Sequence, residues 1–570
     1  MKRHLTSLAL LLSALGLPQA QADDNNKIKG HVLLISIDGM HALDYENCVR
    51  ANTCPNLASL GKTGVNYTRT STSRPSDSFP GLMALVTGGT PRTVGGFYDV
   101  AYDRVLAPPS NPAGTWNGLS PGTCTKNTPN GTRTEYEEGV DFMPSLLSGR
   151  PSFYASPIDG DWHSIDPTRL PRDPYDNCNP VYPWNFIRAN TIYGVAHKAG
   201  GFTAWSDKHA VYAAVSGPTG NATPSNVDDY YSPDVNSDVV ALPGITTAGL
   251  HDNCSALSSG GAWTDHFLAI RCYDQLKVNA VLNWINGKNH LGGSKAPVPV
   301  IFGMNFQAVS VGQKLIESGV KGGYTDDAGT PTTNMANEIA FVDAAIGQMV
   351  TALKAQDLLE STTIIITAKH GQSPVDTNRN VRIPGPAATP PAGTSPASYL
   401  KTYLPDSEFN QIGPTEDDIS LLWLNHSGDT LAAVAILEAA GPTAGIGQIF
   451  YGPSITTMYN APGLPLPGPC CRYSADADPR TPDIIVQPNV GVVYSGSTKK
   501  QAEHGGFAHD DTNVMLLVSN PNLEPSTVTS FVETTQVAPT ILQILGLDPS
   551  ALDAVKIEGT PVLPGLPVRN

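Results

Sequence analysis

Side chains able to do chemistry recur where apolar runs of this chain stop. Asp38 follows His31-Val-Leu-Leu-Ile-Ser-Ile37, Asp207-Lys208-His209 follow the short run ending at Trp205-Ser206, Asn305 and Gln307 follow Val298 to Met304, and Lys369-His370-Gly371 follow Thr362-Thr-Ile-Ile-Ile-Thr367. Ser78 lies in the small and polar stretch Ser73-Arg-Pro-Ser-Asp-Ser-Phe-Pro-Gly81, just ahead of an apolar run. Glu503-His504-Gly505 and His509-Asp510-Asp511 come late in the chain. A serine hydroxyl is a poor nucleophile until a base or a metal activates it. Histidine with carboxylate is a zinc-binding composition. A hydroxyl at a helix start stands near free backbone N–H groups, which suits an anionic ligand. The pattern therefore predicts a site at the strand ends suited to an anionic ligand and of metal-binding composition. One strand-Asp-Gly alone would more often cap a turn; the repetition at several strand ends carries the functional reading.

The elements that position these groups read as an α/β fold. Seven largely β-branched residues before Asp38 predict a buried strand of a parallel sheet, and ligands in such sheets sit beyond the carboxyl ends of strands. Met335 to Glu360 is the clearest amphipathic helix, with Ile339, Val342, Ile346, Met349, Val350 and Leu353 at helical spacing. Phe186 to Ala199, Tyr273 to Ile285 and Val537 to Leu545 read as further helices. Residues 101 to 185 and 210 to 265 read as long ordered excursions, in keeping with 54 Gly and 49 Pro. Residues 378 to 470 break the pattern. A Pro-rich linker there leads to strand Ile419 to Leu424, helix Thr430 to Ala440 and strand Ile446 to Tyr451, a small inserted α+β lobe. The core is expected to span 23–377 and 471–570, resuming at Pro482-Asp-Ile-Ile-Val486.

Residues 1–22 read as a signal peptide: basic Lys2, Arg3 and His4, a short apolar run, and Ala20-Gln21-Ala22 as the cleavage signal. A periplasmic or secreted protein follows. No later stretch reaches the ~20 apolar residues of a membrane span. The net charge of −16 argues against binding a nucleic-acid duplex. It also means that an anionic substrate needs local positive charge, for which metal ions are the usual source. Eight cysteines in an oxidising compartment imply disulfides. Close spacing suggests Cys48 with Cys54 and Cys254 with Cys272, Cys124 with Cys178 would staple a long loop, and the partners of Cys470 and Cys471 stay open.

In their order and spacing these motifs resemble the alkaline phosphatase superfamily, in particular its type I phosphodiesterase/nucleotide pyrophosphatase branch. Ile35-Ser-Ile-Asp-Gly39 is similar to the family's first metal-binding strand, and Ser78-Phe79-Pro80 to the motif that carries its nucleophile. Lys369-His370-Gly371 resembles its Asp-His-Gly, Glu503-His504-Gly505 its late His-Gly, and Val537-Ala-Pro-Thr-Ile-Leu542 its closing helix. The resemblance implies an alkaline-phosphatase-like sheet flanked by helices. It also implies divalent metal, zinc first, and a phospho-enzyme formed on Ser78, with Asp38, His370 and His504 as ligands. Phosphodiesters or nucleotide pyrophosphates would be the substrates; a phosphonate or sulfate ester is the alternative on the same scaffold, and a catalytically silent ligand-binding protein the alternative from another class. The chain departs from the family pattern at three places. Lys369 stands where an aspartate is expected, Asn305-Phe-Gln-Ala-Val309 where Asp-x-x-x-His is expected, and Gly81 where an asparagine is expected. Three arrangements stay open. One ion remains, with Lys369 and Asn305 supplying charge and hydrogen bonds; two ions remain, completed by substitutes such as His209, Asp510 or Asp511; or the site is silent. Asn305, Gln307, Lys369, Gln372 and Ser373 form a set able to grip an oxyanion.

Overall fold

The computed structural model describes residues 28–111, 122–136, 160–385, 394–404, 415–424, 427–459 and 478–566. Residues 1–22, expected as a signal peptide, and Cys470 and Cys471 lie outside the described residues.

The strand His31–Ile37 is central to an eight-stranded sheet. It pairs in parallel with Ile301–Phe306 on one side and Thr362–Thr367 on the other. Ala204–Ser206 and then Asp229–Tyr231 extend the sheet in parallel beyond Ile301–Phe306. Leu517–Ser519 runs antiparallel beside Thr362–Thr367, and Gly64–Tyr67 and Ser526–Val528 complete that edge. Every residue from Val32 to Ile37 is buried, because the sheet is covered on both faces. Leu33, Ile35 and Ile37 pack with the long helices Phe267–Ile285 and Thr333–Ala355. Val32 and Leu34 pack with the helices Ser78–Thr87, Ile192–Lys198 and Val537–Ile544. The expected α/β fold with a mostly parallel sheet is therefore present.

Three expected pairings are formed: Cys48–Cys54, Cys124–Cys178 and Cys254–Cys272. Among the described residues no helix is long and apolar enough to cross a membrane.

Two local expectations need correction. The single helix over 186–199 is two, Pro183–Phe186 and Ile192–Lys198, separated by extended backbone at Ile187. Thr191 caps the second, its hydroxyl accepting from the Gly194 N–H. The apolar run expected to resume the core forms strand Ile484–Pro488 instead, which pairs antiparallel with Ser420–Leu422 and Ile446–Tyr451. A buried β-branched run is equally suited to either sheet, so its composition does not choose between them. This three-stranded sheet packs through Leu421, Ile485 and Trp423 against Phe97 and Tyr98.

Candidate active site

Four neighbouring parallel strands end side by side, and each delivers a polar group. Register sets the row: Ser36 lies opposite Asn305 and Thr367, and Met304 opposite Ser206. One step further along these strands come Asp38, Gln307, Asp207 with Lys208, and Lys369 with His370. All are buried, Lys208 and Gln307 at 6% exposure being the most open.

Asp38 is the hub. Its Oδ2 accepts from Gln307 Nε2 at 2.6 Å and Asn305 Nδ2 at 3.2 Å. The same oxygen faces Lys369 Nζ at 3.4 Å and His370 Nε2 at 3.5 Å. Burial alone would raise this carboxyl, yet Lys369 first, then His370 and Lys208, hold it well below the ordinary carboxylate range. Lys369 Nζ also donates to Asp207 Oδ1 at 3.3 Å and lies 4.4 Å from the centre of the Tyr212 ring. The ammonium is thus held by two carboxylates and an aromatic face.

Ser78 opens the helix Ser78–Thr87, and Asp77 caps it by accepting from the Phe79 N–H. The Ser78 hydroxyl is met by Lys208 Nζ at 3.1 Å. Asp77 Oδ1 faces His504 Nδ1 at 3.4 Å, and the His504 ring lies on that of His370 with centroids 4.0 Å apart. Gly81 lies where the helix meets the Lys369 backbone. A Cβ there would stand 2.1 Å from the Lys369 carbonyl oxygen, so the glycine at 81 and the path of the chain at 369 belong together.

A second buried pair holds the strand end that carries the amides. Asp274 Oδ2 accepts from the backbone N–H groups of Gln307 and Ala308, each at 2.7 Å. Its Oδ1 pairs with Lys277, whose ammonium donates to the Asn305 carbonyl.

The structure brings together Ser78, Asp38, Asn305, Gln307, Lys369, His370 and His504. Other residues of the expected set are engaged elsewhere. Gln372 exchanges hydrogen bonds with Ser310, Asp510 accepts from the Val375 N–H, and the Asp511 backbone carbonyl accepts from the Gly371 N–H. His209 pairs with Asp234 at 3.3 Å and lines the approach. Lys208 and Asp207 were noted by sequence only as a strand end. That Lys208 reaches Ser78 follows from the sheet order, which no local pattern encodes.

A cleft of about 570 Å³ opens onto Lys208, Gln307 and His504. Arg133, Lys314, Lys499 and Lys500 also line it, together with Asp99, Asp265, Asp417 and Glu503. Lys499 pairs with Asp265 and Lys500 with Glu503, so the cleft is lined by charges of both signs.

The donor set argues against two divalent ions. A metal needs lone pairs, and of the groups around Asp38 Oδ2 only His370 Nε2 can offer one, beside two amide N–H donors and an ammonium. Among the described residues no group of three or more His, Cys, Asp or Glu is placed to hold an ion. Asp38 and Asp207 already share a cation, Lys369.

Comparison with known proteins agrees with this layout of the sheet. No curated protein sequence matches the chain. Among solved structures, murine ectonucleotide pyrophosphatase/phosphodiesterase 5 is similar at a TM-score of 0.52 and 13% identity, covering 91% of this chain and 96% of that one. The human protein of the same name is similar at 0.49 and 13%, covering 91% and 95%. The first likeness supports the fold. The model of the family described as type I phosphodiesterase/nucleotide pyrophosphatase matches residues 32–126 and 165–389. That match takes in Asp38, Ser78, Lys208, Asn305, Lys369 and His370, and spans more than half of the 570 residues. The chain belongs to the type I phosphodiesterase/nucleotide pyrophosphatase family of the alkaline phosphatase superfamily, whose members are phosphoric ester hydrolases.

Proposed function

We propose that this protein is an exported hydrolase of phosphodiesters or nucleotide pyrophosphates in which Ser78 attacks phosphorus. The observation that carries the reading is the 3.1 Å contact between Lys208 Nζ and Ser78 Oγ at the floor of a polar, charged cleft. Serine–lysine pairs are a known variant of the activated-serine arrangement. In this reading Ser78 Oγ bonds to phosphorus as the ester oxygen leaves. The serine proton passes to the Lys208 amine, which returns it to the departing oxygen. Water then attacks the phosphoserine, its proton goes back to Ser78, and a phosphate monoester is released. Lys369 and the amides of Asn305 and Gln307 keep Asp38 ionised and in place, and Asp38 in turn fixes the Lys369 ammonium beside the reacting group. His370 and His504 border the same centre. Family members generally use divalent metal, zinc above all; the donor set here does not suit a pair of ions, and no step of this reading runs through one.

The signal-peptide pattern and three disulfides support export to an oxidising compartment. The test is turnover of bis(p-nitrophenyl) phosphate by wild type, Ser78→Ala and Lys208→Met, with folding checked by circular dichroism. Ser78→Ala is expected to lose on the order of 10⁴-fold or more in kcat, and Lys208→Met about 10²- to 10³-fold. Intact turnover in Ser78→Ala would show the nucleophile to be another group. Binding of phosphate without turnover of any ester would favour the silent ligand-binding alternative.

A further inference from the structure

We propose that Lys369, as a fixed ammonium group, and Lys208, once it has taken the Ser78 proton, supply the positive charge that divalent ions supply in this family, and that this protein hydrolyses its substrate without a bound metal. The inference rests on the assignment of Ser78 as nucleophile.

The first observation is where Lys369 stands. Its ammonium is wholly buried between Asp38 and Asp207, 3.4 Å and 3.3 Å away. Two buried carboxylates facing one another are the usual cradle of a dication. Here a side chain of the protein fills it, and an added dication would be repelled at contact distance by that ammonium. The second is the coat of donors on Asp38 Oδ2: both amides present N–H groups to it, so that only Oδ1 of this carboxylate, buried and without a hydrogen bond, is open to a ligand, too little to hold two ions. The third is the position of Lys208, with Nζ 3.1 Å from Ser78 Oγ and 5.8 Å from the centre of the Tyr212 ring that also carries Lys369. Lys208, cationic once it holds the serine proton, adjoins the nucleophile, and Lys369 stands on the same aromatic ring, where metal ions would otherwise stabilise attacking and leaving oxygens.

The departures also fit one another, which separates replacement from decay. Position 81 has no room for a side chain against the Lys369 backbone. The strand end bearing Asn305 and Gln307 is anchored by the buried Asp274–Lys277 pair at 2.9 Å. Buried charges of this kind are costly to keep unless paired and hydrogen-bonded, and here they are.

The deciding measurement is metal content. Wild type purified without chelator is incubated with zinc, manganese or calcium, desalted, and analysed by inductively coupled plasma mass spectrometry. The expected result is far less than one ion per chain, with turnover of bis(p-nitrophenyl) phosphate unchanged by EDTA. One or two ions per chain that disappear in His370→Ala would overturn the inference, as would loss of turnover on chelation that zinc restores. Lys369→Met and Lys208→Met are each expected to lose about 100-fold or more in kcat, with no rescue by added metal; rescue by zinc would contradict the proposal. If Lys369→Met does not fold, Lys208→Met and the ion count on wild type still decide. If wild type turns over no ester, the assignment of Ser78 falls, whereas the ion count continues to test the substitution of metal by lysine.

Discussion

Lys369 extends its ammonium to 3.4 Å from Asp38, with neither side chain open to solvent. The two residues end adjacent parallel strands and are 331 positions apart, so the contact is a product of the sheet register, in which Ser36 lies opposite Thr367. Removing one member of a buried ion pair leaves an uncompensated charge. Lys369→Met is therefore expected to lower unfolding free energy by about 3 kcal/mol, measured by urea denaturation at neutral pH. The pH dependence has a definite sign. Asp38 is held well below its ordinary value of 3.8, so its contribution is present above that value and is lost as pH falls below it. The gap between wild type and Lys369→Met should accordingly narrow on acidification.

The loops that carry His370 and His504 depend on another buried acid. Gly371 donates its N–H to the Asp511 carbonyl at 2.6 Å. The Asp511 carboxyl is pushed up to about 8, by burial first and by Asp510 in addition. For a raised acid the native state keeps a proton that the unfolded chain releases near 3.8. Its stabilising contribution is complete below that value and drains as pH rises toward 8. Asp511→Asn removes the titration, and its melting temperature should fall less than that of wild type between pH 5 and 8. Equal slopes for the two proteins would contradict this account.

Gly81 is expected to accept no side chain. A Cβ 2.1 Å from the Lys369 carbonyl oxygen forces the strand end or the helix to move. Gly81→Ala should cost about 1 to 3 kcal/mol and reduce turnover by displacing Lys369. Denaturation curves and kcat on the same preparation check both effects. An alanine variant as stable and active as wild type would show the contact to be relieved without consequence.

Much of the site was legible because its residues occupy short-range patterns. Asp38 and Lys369-His370 each close an apolar run of strand length, and the pattern alone puts them at sheet ends. Ser78 was legible from its polar loop ahead of an apolar helix. Two of the disulfide pairs follow from close spacing. Lys208 is legible only as a cation at a strand end, since its approach to Ser78 depends on which strand lies beside Ile301–Phe306. The anchoring pair Asp274–Lys277 was invisible for a related reason: it lies inside the helix Phe267–Ile285, which is buried on most of its surface and so has weak periodicity. The sheet that holds strand Ile484–Pro488 is not legible, because a buried run does not say which sheet buries it.

The Cys254–Cys272 bond ties the long loop before Phe267–Ile285 to that helix across a separation of 18 residues. Closing a loop of this size limits the unfolded chain by about 3 kcal/mol. Replacing both cysteines by serine should lower stability by about that amount while leaving kcat close to wild type, since neither sulfur adjoins Ser78. A large fall in kcat with little change in stability would mean that the loop shapes the cleft directly.

The most direct test of the central assignment is to catch the intermediate. Protein mixed with a slowly hydrolysed phosphodiester is quenched in acid within the first turnover, digested and analysed by tandem mass spectrometry. The account predicts the substrate's phosphoryl group on Ser78, absent in Ser78→Ala. Turnover with an unmodified Ser78, or with the phosphoryl group on another residue, would contradict it.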